Sequence, residues 1–155
     1  MGTDIHAYAE RKSSNGSWEA IKDYQPFHYR DADLFAFFAG IKCERLDSWF
    51  IRPSAVVSPR GLPPDVSTYV KDQYDSFGVD AHTPSWLSVS ELNAFDYDTT
   101  IEDRDVELLE PAPPRASRPP EFVETHKECL GKRYFEELHK LNQYKAERIV
   151  FWFDS

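Results

Sequence analysis

Residues 3–11 alternate without a break: Thr3, Ile5, Ala7 and Ala9 fall on one side, and Asp4, His6, Tyr8 and Glu10 on the other. A period of two predicts a strand. Asn15-Gly16 supplies a hairpin turn signal, and Trp18-Glu19-Ala20-Ile21 reads as the return strand. The period then changes. Leu34, Phe35, Phe37 and Phe38 share a face of a short helix, with Asp31 placed to cap it and Gly40 to end it. Strand formers and turns mix from 41 to 57. Val66, Tyr69, Val70, Tyr74 and Phe77 return to helical spacing, with Asp65 as the expected cap and Gly78 as the stop. The stretch from Asp80 to Leu87 reads as a loop passing into a short strand. Ser88 and Glu91 have capping-box spacing ahead of a short helix through Leu92 and Phe95.

Phe122, Val123, His126, Cys129, Leu130, Tyr134, Leu138 and Leu141 mark an amphipathic helix interrupted by Gly131. His126 and His139 on that helix are expected to face solvent. Arg148 to Phe153 is apolar on both faces, a pattern that belongs mid-sheet or in an interface. These pieces mix hairpins and helices without regular βαβ alternation. They predict an α+β fold: an N-terminal β-hairpin, a mixed or antiparallel sheet, short helices, and a C-terminal helix plus strand packing back on the sheet. The length of 155 residues predicts a single domain over 1–155. Five prolines within 111–120 read as an extended connector inside it.

Composition narrows the class of function. Hydrophobic residues make up 41% and charged residues 29%, an ordinary globular balance. The formal net charge of −9 argues against a broad face for duplex nucleic acid. It does not argue against a local anion site. Ten of the 18 basic residues are Arg, the cation suited to bidentate phosphate contacts. Cys43 and Cys129 lack CxxC spacing, which fits a reducing compartment, and no apolar run approaches the ~20 residues of a membrane span. The expectation is a cytoplasmic protein with no membrane partner. Aromatics at 15% suit a core, a homo-oligomer interface or a base-stacking pocket equally well.

Two constellations carry candidate chemistry. Asp4 with His6, and Asp80 with His82, are Asp-x-His triplets, and on a strand each pair points the same way. Brought together, His6 and His82 could serve as acid and base, or all four residues could hold a divalent metal. The plainer account puts His6 on an exposed strand face and His82 in a turn. That account leaves the protein with no cofactor. Arg60 stands in Pro59-Arg60-Gly61-Leu62-Pro63, a stiff loop that would hold an arginine ready for phosphate. Arg30 precedes a helix start, where anions are also favoured. A structural turn at Arg60 and an Arg30–Asp33 pair are the alternatives. The sequence has no Walker phosphate loop, GxGxxG, HExxH or GxSxG motif.

The opening Gly2-Thr3-Asp4-Ile5-His6-Ala7-Tyr8 resembles a family of small uncharacterised phage and bacterial proteins that begin with a G-x-D-I-H strand. The likeness continues through Asp33–Gly40, Pro59–Pro63 with Asp65-Val66-Ser67, and Asp80–Leu87 with Glu91-Leu92, covering roughly residues 1–95 by blocks. Where the family carries a second histidine in the last of these blocks, this chain has Pro84. That change tilts the reading from catalysis toward binding. The resemblance implies a phage-type protein and supplies no activity of its own. Small phage proteins often act against host defence, and with the residues above the expectation is an accessory protein that sequesters a nucleotide-like host immune signal in the host cytoplasm. Arg30 and Arg60 would hold phosphate, Asp4, His6, Asp80 and His82 would line the site, and Tyr8 or Trp86 would stack on a base. A phosphodiesterase at the same site, or an acidic inhibitor of a host factor using 96–110, are the alternatives.

Overall fold

The computed structural model of the protein describes residues 2–41, 53–101 and 124–155. The fold is α+β, as the periodicities predict. Its elements run β1 (Asp4–Lys12), β2 (Trp18–Ala20), α1 (Ala32–Ala39), α2 (Thr68–Phe77), β3 (Ala81–Ser88), α3 (Val89–Ala94), α4 (His126–Gln143) and β4 (Arg148–Asp154). They belong to two compact units. The first comprises the described residues of Met1–Arg30, Val57–Phe95 and Lys132–Ser155, and the second those of Asp31–Val56 and Asp96–Gly131.

In the first unit the strands form one antiparallel sheet in the order β2-β1-β4-β3. The hairpin forms where Asn15-Gly16 predicts it, with Gly16 at φ 85° and the Asn15 carboxamide accepting from the Ser17 amide at 3.0 Å. The apolar run Ile149–Phe153 lies mid-sheet with every residue fully buried, as its lack of a polar face requires. Cross-strand partners share a face. Ile5, Ala7, Ala9, Leu87, Phe151 and Phe153 are therefore buried together on one side. On the other side Tyr8, Val150 and Trp152 form a core cluster with Val70 of α2.

Asp65 does not cap α2, contrary to the sequence pattern. Ser67 does, its hydroxyl accepting from the Val70 amide at 3.4 Å. Asp65 is drawn away to Arg148, accepting from its Nη1 at 2.9 Å. Arg148 in turn donates through Nε to Glu10 at 2.7 Å and stacks on Trp18 at 3.7 Å. The second Glu10 oxygen accepts from the Ser67 amide at 2.9 Å. The stretch from Asp80 is also more regular than expected: β3 is a full strand, broken only by a register shift between His82 and Ser85. Pro84 has no N–H for the ladder, and Thr83 takes φ 51° to carry the bulge. The capping box at Ser88 and Glu91 opens α3 as predicted.

In the second unit Asp31 caps α1 by accepting from the Asp33 and Leu34 amides, and Gly40 ends it at φ 71°. Burial of α1 runs from Leu34 through Ala39 without an exposed face, so it is a core helix rather than an amphipathic one. His126, expected in solvent, is half-buried with its ring 6.0 Å from Phe37, whereas His139 is exposed. Gly131, at φ 78° and ψ 177°, kinks α4 at the predicted position. Phe122, Val123, Cys43, most of 96–110 and all of 111–120 lie outside the described residues.

The Glu10–Arg148 pair sets the first prediction. Arg148→Met leaves a buried carboxylate without its cation and should lower unfolding free energy by about 3–5 kcal/mol in urea titrations. Replacing both members, Glu10→Leu with Arg148→Met, should recover much of that loss. A single substitution that costs under about 1 kcal/mol would show that Glu10 reaches solvent.

Candidate functional site

Asp4 and His6 lie two apart on β1 and so share its α2-facing side. At this end of the sheet Asp4 is paired across strands with Asp154, and His6 with Trp152. The loop after β2 returns His28, Tyr29 and Arg30 to the same place. Together Asp4, Ile5, His6, His28, Tyr29 and Arg30 line a cleft of about 340 Å³. Three of the sequence candidates, Asp4, His6 and Arg30, thus converge.

Arg30 grips Asp4 through two hydrogen bonds, Nε to Oδ1 at 2.6 Å and Nη2 to Oδ2 at 3.1 Å. That contact holds the Asp4 carboxyl below its usual range against the opposing effect of burial, with Arg30's charge, His6 and His28 adding further pull. Gly2 lets the guanidinium approach: a Cβ there would stand 2.5 Å from Arg30 Nη1. His6 is fixed from the far side. Its Nε2 lies 3.1 Å from Asp154 Oδ2, and its ring centroid is 4.2 Å from that of Phe77.

The remaining sequence candidates go elsewhere. His82 pairs with Phe153 in the ladder and stacks on it at 6.1 Å, so it sits on the opposite sheet face from His6. Its ring nitrogens meet Thr83 Oγ1 at 3.0 Å and Ser155 Oγ at 2.9 Å. Asp80 is exposed in the 3₁₀ turn before β3. Among the described residues no group of three or more His, Cys, Asp or Glu side chains is placed to hold a metal ion. Tyr8 is 8% exposed and stacks on Trp152 at 5.3 Å, leaving no open ring face for a base.

Arg60 is engaged on three sides. Its Nη1 and Nη2 close on the two oxygens of Glu91 at 2.8 and 2.6 Å, Nη1 also reaches the Trp86 carbonyl, and the guanidinium covers the Trp86 ring at 4.2 Å. Glu91 is itself tied to the Ser88 amide at 2.9 Å. An anion at Arg60 has to displace this whole assembly. At Arg30 it does not: Asp4 occupies only the Nε/Nη2 edge, and among the described residues Nη1 makes no hydrogen bond.

Sequence reasoning missed His28 and Asp154. Nothing local flags His28, a lone imidazole after Pro26-Phe27. Asp154 had a signal, since a central β4 antiparallel to β1 brings its acidic end beside Asp4.

Arg60 has a pH signature. Its hydrogen bonds, with those of Ser88, hold the Glu91 carboxyl down at about 2 against an ordinary value of 4.5. The folded state therefore gains stability that is complete above pH 4.5 and is lost as pH falls from there toward 2. With both side chains nearly a third exposed, solvent trims the effect to on the order of 1 kcal/mol. Arg60→Ala should flatten this component in urea midpoints compared at about pH 6 and about pH 3. An unchanged pH profile would remove Arg60 from the role of strut. Comparison with protein-family models, curated proteins and solved structures found no match, so the reading of the cleft rests on its own geometry.

Proposed function

We propose that the protein binds a small nucleotide-like anion in the cleft beside β1, with Arg30 as its anchor. The observation that carries this reading is the half-used guanidinium. Asp4 takes one edge and so orients the other, Nη1 with the second Nη2 proton, toward a ligand. A guanidinium edge presents two parallel N–H donors, the geometry that phosphate oxygens accept. His6 and His28 place ring nitrogens on the same walls. The Arg30–Asp4 bridge is exposed, with side chains 63% and 45% accessible, so solvent screens it and a rearrangement on binding costs little.

The cleft volume of about 340 Å³ falls at the low end of small-molecule sites, which span roughly 300–1,000 Å³. It suits one nucleotide or less rather than a polynucleotide, in keeping with the acidic charge of the chain. No helix among the described residues is long and apolar enough to cross a membrane. We extend the reading to an accessory protein of phage type that sequesters a signalling nucleotide.

The test is calorimetric titration with inorganic phosphate, AMP and 3′,5′-cyclic AMP, followed by ³¹P line broadening. Arg30→Ala should weaken binding by about ten- to a hundred-fold, the worth of one charge-assisted hydrogen-bonded contact, and leave the melting temperature nearly unchanged. Arg60→Ala should do the reverse. No binding at millimolar concentration, or an Arg30→Ala protein that binds normally, would sink the proposal.

A further inference from the structure

We infer that this cleft carries an acid–base pair able to hydrolyse a phosphodiester, with His6 as general base and His28 as general acid; this rests on Arg30 binding phosphate. His6 is built as a carboxylate-backed imidazole. Asp154 accepts from Nε2–H at 3.1 Å, which selects the tautomer whose Nδ1 carries the lone pair. Among the described residues Nδ1 has no hydrogen-bond partner, and the ring is held by Phe77 at 4.2 Å and Trp152 at 6.3 Å. A base needs this combination: a fixed ring, a free lone pair, and a negative group behind it to stabilise the imidazolium it becomes.

His28 is placed by strain. Phe27 has φ 56°, a left-handed conformation that a bulky residue rarely adopts, and is fully buried with its ring 5.3 Å from that of Tyr134. The Tyr29 amide then closes on the Phe27 carbonyl at 2.9 Å, which puts His28 at the apex of a three-residue turn. Its imidazole is exposed on the cleft wall and makes no hydrogen bond among the described residues. Strain of this sort, held in place by a buried neighbour, recurs where a side chain must be presented for chemistry. The charged neighbours of the two imidazoles are Asp4, Asp154 and Arg30, with Tyr29 lining the same wall.

The reaction balances without a cofactor. His6 Nδ1 takes one proton from a water molecule as its oxygen attacks phosphorus, and Asp154 stabilises the imidazolium. The bond from phosphorus to the leaving oxygen breaks, and His28, entering as imidazolium, gives that oxygen its proton. The products are a phosphomonoester and an alcohol. Arg30 meets the charge that builds on the equatorial oxygens. Solvent exchange then returns each histidine to its starting state.

The experiment uses the full chain with bis(4-nitrophenyl) phosphate and 3′,5′-cyclic AMP, measuring turnover and binding in parallel. His6→Ala and His28→Ala should each retain binding within a few fold. His6→Ala should slow both substrates by about 10²–10⁴, the usual reach of general acid–base catalysis. His28→Ala should slow the cyclic nucleotide far more than the nitrophenyl ester, because nitrophenolate departs without a proton and an alkoxide does not. Asp154→Asn, acting through His6, should displace the limb of the pH–rate profile that reports the base. Binding without cleavage, or a His28→Ala protein equally active on both substrates, overturns the acid–base pair and leaves the anion site standing. Neither binding nor cleavage overturns both.

Discussion

The buried pair of Glu10 and Arg148 holds the first unit together, because it decides register. The two residues are cross-strand partners on β1 and β4, with side chains 0% and 5% exposed. A slip of one position would turn every side chain on β1 to the other face and leave a carboxylate and a guanidinium buried apart. Through Asp65 and the Ser67 amide the same pair fastens the loop that leads into α2. The register it enforces also sets Asp4 opposite Asp154 and His6 opposite Trp152 at the far end of the ladder. The cleft is therefore a remote product of an ion pair four to six residues away along the strand.

Two arginines illustrate why charge count says little about a site. Arg60 stands in the stiffer loop and looks the better anchor by sequence, yet its fork closes on a carboxylate that a capping box already holds. Arg30 sits in the loop between β2 and α1, and its carboxylate partner takes one edge only. What separates them is the number of donors left over, a property of three-dimensional neighbours. The carboxylate beside Arg30 is a positioning device, whereas the one beside Arg60 is a terminus.

The local devices were legible in the sequence: the Asn15-Gly16 turn, the caps at Asp31 and Gly40, the Ser88–Glu91 box and the two-faced apolar run of β4. Each needs only residues a few positions apart. Asp65 was misread because its real partner is 83 residues away, and no spacing rule announces Arg148. The β3 bulge escaped for a different reason, since Pro84 forbids a ladder bond but does not forbid a strand that steps around it. Of the cleft, Asp4, His6 and Arg30 were named from type and motif. His28 became visible only with Phe27's backbone angle, which side-chain chemistry does not encode.

The position of β4 in the sheet has a kinetic consequence. It lies between β1 and β3 yet follows both in the chain, and its register partners on β1 run from Glu10 with Arg148 to Asp4 with Asp154. Contacts that close loops this long are slow to form, since most of the chain must lose its freedom before any ladder bond rewards it. During synthesis the N-terminal hairpin leaves the ribosome with one edge unpaired for well over a hundred further residues. That edge is exposed to wrong partners for the whole interval, so a chaperone that shields β1 would raise the yield of native protein without altering its final stability.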